Sequence, residues 1–380
     1  MKICIFSANY LPNIGGVERY TYYCAKELIK RGHEVFIVTS NLFSLSSKDL
    51  SDYGATIYRY DCINLIGGRF PVLKLNKLQR EIDREIIASK PDLMIVNARF
   101  YFHSLHAMKL AKKHKIRCIC IEHGTTHLTV NNRFLDFLGA QFEHFLTALD
   151  KRYCKDYYGV SEAACEWSGH FGIISKGVLY NAIDVDEINK LLENPIVDYR
   201  KKLGLDGHTT VIAYTGRMIP EKGVDALLYA FSKLDNKNTA LILAGDGPLF
   251  DEIKQKNIKR VYPLGKIDFP HVISLLRITD IFCLASRSEG FSTAVLEAVA
   301  AKCYIITTKT GGTKELISGE SFGTLMDTND KTEVARALND AVNFPEKREE
   351  AVHNAYQRLL DHFTWVKTVD KLLDIAEENR

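Results

Sequence analysis

The feature that most constrains this chain is a unit that recurs in both halves: a short apolar run, a glycine-rich turn, then a segment with helical spacing. In the first half Lys2 to Ala8 reads as a buried strand, Pro12-Asn13-Ile14-Gly15-Gly16 as a turn, and Val17 to Arg31 as a helix that stops at Gly32. Strand patterns follow at Val35–Thr39, Ala55–Tyr60, Leu93–Asn97, Arg117–Glu122 and Val178–Tyr180, with helical stretches between most of them. The second half repeats the design with Thr209–Tyr214, Leu241–Ala244, Val261–Leu264, Ile281–Leu284 and Tyr304–Thr308. Such alternation predicts α/β architecture, with parallel sheets covered on both faces and ligands at the carboxyl ends of the strands.

At 380 residues the chain exceeds one typical core and predicts two domains. A polar segment, Glu187 to Gly207, precedes the second set of strands, so the boundary is set at 183/184. Hydrophobic content of 46% and charged content of 26% are ordinary for a soluble globular protein. No apolar run reaches the ~18 residues of a membrane span, and Met1 leads directly into a strand without a signal-peptide pattern, which predicts a cytoplasmic protein. The nine cysteines are scattered without a CxxC pair, and Cys118 and Cys120 would project from one strand face as small core residues, so neither structural zinc nor a disulfide framework is expected. Charge is uneven. The first 183 residues carry a net +7 and the remainder −4. A basic half suits an anionic membrane surface, an acidic lipid-linked substrate or nucleic acid, and uneven solvated charge is the plain alternative.

The richest stretch is Ser286 to Ala300, SRSEGFSTAVLEAVA, which reads as a loop and helix after the strand Ile281–Leu284. Glu289 falls in the loop and Glu297 on the helix, Gly290 lets the backbone pass close to a ligand, and Ser292 or Thr293 can cap the helix. A phosphate fits at such a helix start, where free N–H groups and the dipole favour an anion. Arg217 and Lys222 bracket the turn after Thr209–Tyr214; a planar fork and a flexible point charge together suit a diphosphate. Gly245 in AGDGP and Gly311-Gly312 mark two further strand-end turns. No GxxxxGK[ST] and no GxGxxG after the first strand is present, so neither an NTPase nor a dehydrogenase is supported.

In the first half, Glu122-His123-Gly124 falls at a strand end, which makes His123 a candidate site residue. His123 and His127 have HxxxH spacing, but the sequence offers no third ligand nearby, so no metal is expected. Asp184-Val185-Asp186 imitates a DxD metal motif, yet it opens a helix, where acids favour the dipole. Asn132 to Leu149 carries Phe134, Leu135, Phe137, Leu138, Phe142, Phe145, Leu146 and Leu149 on a broad helical face. Core packing is the default expectation; the sharper one is a membrane-facing helix, with Lys112, Lys113, Lys115, Arg117 and Arg133 nearby.

Taken in order, the GG turn, HG, NAID, GRxxxEKG, AGDGP and EGFSTAVLE with its E-x7-E spacing resemble the retaining glycosyltransferases of family 4. The resemblance implies a GT-B fold: two Rossmann-like doubly wound domains facing a central cleft. It implies an acceptor-binding domain over 1–183, a nucleotide-sugar-binding domain over 184–362, and a segment 363–380 whose helix, from Phe363 to Asn379, crosses back to the first domain. It further implies that Arg217 and Lys222 bind the diphosphate and Glu297 the ribose. Glu289 would bind the sugar, and the amides around Gly290, Phe291 and Ser292 the sugar and phosphates. His123 would lie by the donor sugar, Gly16 near the phosphates, and Thr293 at the dipole end that faces the leaving group. Ser292 and Thr293 depart from the family's more usual Gly and aliphatic residue. The implied activity is transfer of a sugar from a UDP- or GDP-linked donor to a glycan or lipid-linked acceptor in cell-surface polysaccharide assembly. Neither metal nor other cofactor is implied, and peripheral contact with the inner face of the cell membrane is expected. A nucleotide-sugar epimerase of similar shape and a non-catalytic binding module are the alternatives. Nucleic acid is not expected, because the basic half lacks an RNA-binding motif with interleaved aromatics.

Overall fold

The computed structural model describes residues 1–13, 15–129, 132–235 and 238–378; Ile14 of the first turn, and Asn379 and Arg380 of the last segment, lie outside them. The chain divides into two compact units. One is Met1–Asn181 together with the helix Trp365–Glu377, and the other is Ala182–Thr364.

The first unit is built on nine strands: β1 Lys2–Ser7, β2 Glu34–Ser40, β3 Lys48–Leu50, β4 Thr56–Tyr60, β5 Cys62–Leu65, β6 Phe70–Leu73, β7 Leu93–Asn97, β8 Arg117–Glu122 and β9 Asp156–Gly159. Seven form a sheet in the order β3-β4-β2-β1-β7-β8-β9, parallel except for β3 against β4. β5 and β6 make a separate antiparallel hairpin. The central strands are apolar on both faces because helices cover both, and Ile3, Ile5, Ile37, Met94, Val96 and Ile119 are fully buried. The helix Trp365–Glu377 packs on the helix Gly16–Lys30, with the Trp365 ring edge-on to Tyr20 at 5.0 Å and Arg31 paired to Asp370 at 2.6 Å.

The second unit contains β10 Thr210–Thr215, β11 Thr239–Ala244, β12 Val261–Gly265, β13 Ile281–Leu284, β14 Tyr304–Thr308 and β15 Thr324–Met326. They form one parallel sheet in the order β12-β11-β10-β13-β14-β15. In each sheet the order reverses direction at the first strand of its unit: between β1 and β7 in one, between β10 and β13 in the other. A crevice outside the carboxyl ends is the ligand position that such a reversal creates.

Two sequence expectations are corrected. Val178–Tyr180 is not a strand: Gly177 has φ +155° and Val178 makes only an isolated bridge to Gly159. The edge position is taken by β9, where an added Cβ on Gly159 would come within 2.7 Å of the Cys165 amide nitrogen. The helix Arg133–Asp150 packs only part of its apolar stripe as core. It buries Glu143, Leu146, Thr147 and Asp150, spaced i, i+3, i+4, i+7, and only Leu146, Phe142 and Leu149 of the stripe pack into a core with Phe70 and Leu105, while Phe134, Leu135, Phe137, Leu138 and Phe145 are 47–69% exposed. Core packing holds for Phe142, Leu146 and Leu149 and fails for the rest of the stripe, which faces outward. No helix among the described residues is long and apolar enough to cross a membrane.

Candidate functional site

In the second unit the loops after β10, β11, β13 and β14 are laced together by backbone hydrogen bonds. Gly216 N–H donates to Ala244 at 3.0 Å, Met218 N–H to Asp246 at 2.8 Å, Arg287 N–H to Glu221 at 2.8 Å, and Gly312 N–H to Gly290 at 2.9 Å. Glycine makes the lacing possible. A Cβ on Gly245 (φ +145°) would stand 1.8 Å from the Gly216 carbonyl oxygen. One on Gly223 (φ +69°) would stand 2.0 Å from that of Ala285, and one on Gly311 (φ +53°) 2.0 Å from that of Glu289.

This frame brings Lys222 and Glu289 together at the switch point, Nζ to Oε1 at 2.5 Å, one from the loop after β10 and the other from the loop after β13. Both are partly buried. Arg217 is exposed, its backbone carbonyl accepting from the Tyr214 hydroxyl at 2.7 Å. Burial, and then the Glu289 carboxylate, push the Tyr214 phenol up, while Arg217 draws it back. Tyr214 therefore feels both candidate groups, and nothing in its sequence context as a strand residue distinguished it from core. Ser292 caps the helix Thr293–Ala300, its hydroxyl oxygen accepting from the Val295 amide at 3.4 Å, so the oxygen that departs from the family pattern has a helix-capping use. Thr293 opens the helix, and Glu297 is buried within it. The Phe291 ring turns inward against Phe363 at 5.1 Å, directly over Gly312, where a Cβ would meet its Cδ2 at 2.0 Å; only the Phe291 backbone is left to the loop face.

In the first unit the switch point lies between the turn after β1 and the end of β7. Gly16 opens the helix Gly16–Lys30, and a Cβ there would meet nothing within 4 Å. Glu18 bends back over this helix start, accepting from Asn13 Nδ2 at 2.8 Å and from the Gly15 amide, and burial pushes its carboxyl up. His123, from the end of β8, has its Nε2 3.0 Å from Asn97 Oδ1. Asn97 Nδ2 donates to Thr21 Oγ1 at 2.8 Å, which in turn donates to the Val17 carbonyl at 2.9 Å. That chain fixes the Asn97 oxygen toward His123, so Nε2–H donates and Nδ1 keeps its lone pair. Burial holds the His123 imidazole down to about 3, so it is neutral at physiological pH.

Beneath His123 lies a network that sequence reasoning missed. Glu122 Oε1 accepts from the His123 and Gly124 amides at 3.0 and 2.9 Å, and its Oε2 pairs with Arg99 at 2.9 Å. Arg99 is buried and also reaches Glu143 at 3.6 Å. Three charged residues spread over a strand end, a loop and a helix give no local signal. Asp184 caps the helix Val185–Glu193, accepting from the Glu187 amide at 3.0 Å, with Asp186 in its first turn. His127 does not follow His123: its Nδ1 pairs with Glu143 Oε2 at 2.9 Å, and His144 and His170 stand beside it.

The Glycosyltransferase Family 4 profile matches residues 14–187 and the Glycosyl transferases group 1 profile residues 195–358. The GPI3 subunit of phosphatidylinositol N-acetylglucosaminyltransferase from Saccharomyces cerevisiae is 24% identical over 96% of this chain and 80% of its own. N-acetyl-alpha-D-glucosaminyl L-malate synthase of Bacillus anthracis is 25% identical over 94% of both chains. The crystal structure of Anabaena HepE in complex with UDP superposes with a TM-score of 0.74, at 17% identity over 99% of each chain. The fold is GT-B, two Rossmann-like parallel-sheet domains, and with a family profile on each half the chain belongs to the glycosyl transferases group 1, family 4.

Proposed function

We propose that this glycosyltransferase moves a hexosyl group, with retention of anomeric configuration and without metal, from a UDP- or GDP-linked sugar to a hydroxyl of a lipid-linked glycan. The observation that carries this reading is the Lys222–Glu289 pair at the second unit's switch point, with Arg217 exposed on the same loop. Transfer builds positive charge at the anomeric carbon and negative charge on the departing diphosphate. Arg217, Lys222 and the amino end of the helix Thr293–Ala300 would receive that negative charge. When the donor binds, Lys222 exchanges its carboxylate partner for phosphate, and Glu289 becomes available to the sugar hydroxyls. Glu297 would take the ribose, and the backbone of Gly245, Gly290, Phe291 and Ser292 would line the donor. A neutral His123 cannot serve as a cationic acid; its Nδ1 lone pair suits a sugar hydroxyl as acceptor. With both glutamates given to binding, attack comes from the front face and the leaving phosphate accepts the acceptor's proton.

The acceptor's lipid is argued from the helix Arg133–Asp150. Its exposed apolar face adjoins a mostly apolar cavity of about 440 Å³, lined by Ile66, Phe70, Phe100, Leu128, Leu135 and Phe142 with Gly139 and the acids Asp136 and Glu143, a lining whose apolar part suits hydrocarbon. Among the relatives, one is named for a phosphatidylinositol acceptor and one structure holds UDP, which supports both ends of the reading. The test is a thermal-shift and product screen of UDP- and GDP-sugars with membrane extract as acceptor, run with and without chelator. Stabilisation by one donor and a labelled lipid product is expected. An isomerised nucleotide sugar with no transfer product would replace this reading with an epimerase.

A further inference from the structure

Three histidines far apart in sequence meet in the first unit: His127 from the loop after β8, His144 from the helix Arg133–Asp150, and His170 at the end of the helix Glu162–Gly169. One nitrogen from each lies within 4.8 Å of the other two, and His144 Nε2 is 3.2 Å from His170 Nε2. Two imidazole nitrogens bound to one tetrahedral zinc at 2.0–2.1 Å stand about 3.3 Å apart. The side chains around the cluster hold it in that arrangement. His127 Nδ1–H donates to Glu143 Oε2 at 2.9 Å, which fixes the tautomer that turns the Nε2 lone pair outward. Glu143 is buried and itself held, its Oε1 accepting from the Leu128 amide at 2.9 Å. A ligating histidine oriented by a buried, anchored carboxylate is the arrangement that metal sites use to set ring direction and basicity. Trp167 stacks on the His170 ring at 4.8 Å and 9°, and Phe171 closes against His144 at 4.7 Å, giving the cluster an apolar wall on one side while His170 remains open to solvent on the other.

We propose that His127, His144 and His170 form a site for one divalent late first-row cation, zinc by preference, with the fourth position open to water. Three imidazoles without thiolate or a carboxylate ligand select this class over calcium or magnesium, which take oxygen ligands. The cation would staple three segments: the loop that also carries His123, the helix that presents the apolar face, and the end of the helix Glu162–Gly169. Its role is to hold that helix in place, and the transfer step does not pass through it.

The probe is the metal alone. Tag-free full-length protein, stripped with chelator, is titrated with Zn2+ by calorimetry and with Co2+ by visible absorption and tryptophan fluorescence. One equivalent should bind, the Co2+ form should show d–d bands of tetrahedral intensity, and Co2+ should quench Trp167, which stacks on a ligand. His170→Ala, at a solvent-exposed position, should weaken binding at least tenfold, and His144→Ala with His170→Ala should abolish it with circular dichroism unchanged. His208→Ala, outside the cluster, should leave it intact. Absence of stoichiometric binding, or equal binding by the double variant, would overturn the assignment. Donor turnover is read separately on the stripped protein, so loss of the metal site and loss of the transferase reading are distinguishable.

Discussion

The two halves share a sheet design and a switch point, yet the glycines and charges placed at those two switch points differ. In the second unit Gly223, Gly245 and Gly311 are demanded by the protein itself, because a Cβ at any of them would strike a neighbouring carbonyl oxygen at 1.8 to 2.0 Å. In the first unit Gly16 has open space where its Cβ would be. Charge differs as well. The first unit buries the Arg99, Glu122 and Glu143 network, whereas the second buries Glu297 in its helix, leaves Arg217 exposed and keeps Lys222 and Glu289 only partly covered at the strand ends. A switch point with locked loops and reachable cations fits the small anionic donor proposed above, which must be held in one pose. A half with a buried ion network, a neutral histidine and an exposed apolar helix fits the larger, lipid-linked acceptor proposed above.

The sharpest way to break this contrast is Lys222→Ala. Removing one preorganised group that meets developing charge costs 10²–10³ in kcat, about 3–4 kcal/mol, and steady-state turnover of the donor should fall by that factor. Glu289→Ala should abolish transfer with the fold intact; wild-type turnover in either variant would remove the second unit's claim to the donor. Next in size is Gly245→Ala. The added methyl must displace the Gly216 backbone and occupy a positive φ, so a loss of about 2–3 kcal/mol is expected by chemical denaturation. A loss under ~0.5 kcal/mol would show that the loops are not locked.

Asp150 tests what burial does to an acid of the first unit. Burial pushes its carboxyl up to about 8, with Cys154 adding to the shift and Arg99 and Lys109 opposing it. Neither carboxylate oxygen has a hydrogen-bond partner among the described residues. A carboxyl raised above its unfolded value near 3.9 binds its proton more tightly when folded, so its contribution is full below that value and is lost as pH rises toward 8. Asp150→Asn should therefore match wild type near pH 4 and exceed it at pH 8, by on the order of 1–3 kcal/mol. Melting both proteins across this range tests it; a difference that does not change with pH would mean Asp150 is ionised in the fold.

The same contrast explains what was legible in the sequence. Leu93–Asn97, Arg117–Glu122 and Tyr304–Thr308 match their strands residue for residue, because strands buried on both faces are unbroken apolar runs bounded by turns. The second unit's candidate residues could be grouped from sequence because they are local: Arg217 and Lys222 share one loop, Glu289 and Glu297 share one loop and helix, and the fold brings Lys222 and Glu289 together. β3, β5, β6, β9 and β15 were missed, being three or four residues long and broken by polar residues, glycine or proline, whereas the equally short β13 registered as an unbroken apolar run. The first unit's network was illegible for a different reason. Arg99, Glu122 and Glu143 are brought together only by the fold, and so are His127, His144 and His170, whose spacings of 17 and 26 residues match no local metal motif.

The smallest expected effect separates the two uses of glycine most cleanly. Gly16 sits at the first helical position, and its φ lies outside the left-handed region. Alanine has the better helix propensity and a stiffer unfolded chain, so Gly16→Ala should leave stability unchanged or raise it by up to about 0.5–1 kcal/mol. If glycine stands there so that a phosphate or sugar can approach the helix start, the KM for the donor should rise severalfold in a variant that melts no lower than wild type. Glu18 makes the distinction stricter: its carboxylate already leans over that helix start, so an anion arriving there must displace it, and the methyl would add a steric cost to an electrostatic one. Unchanged donor KM and unchanged acceptor KM in Gly16→Ala would mean that this turn serves only to start a helix, and that the donor is held without it.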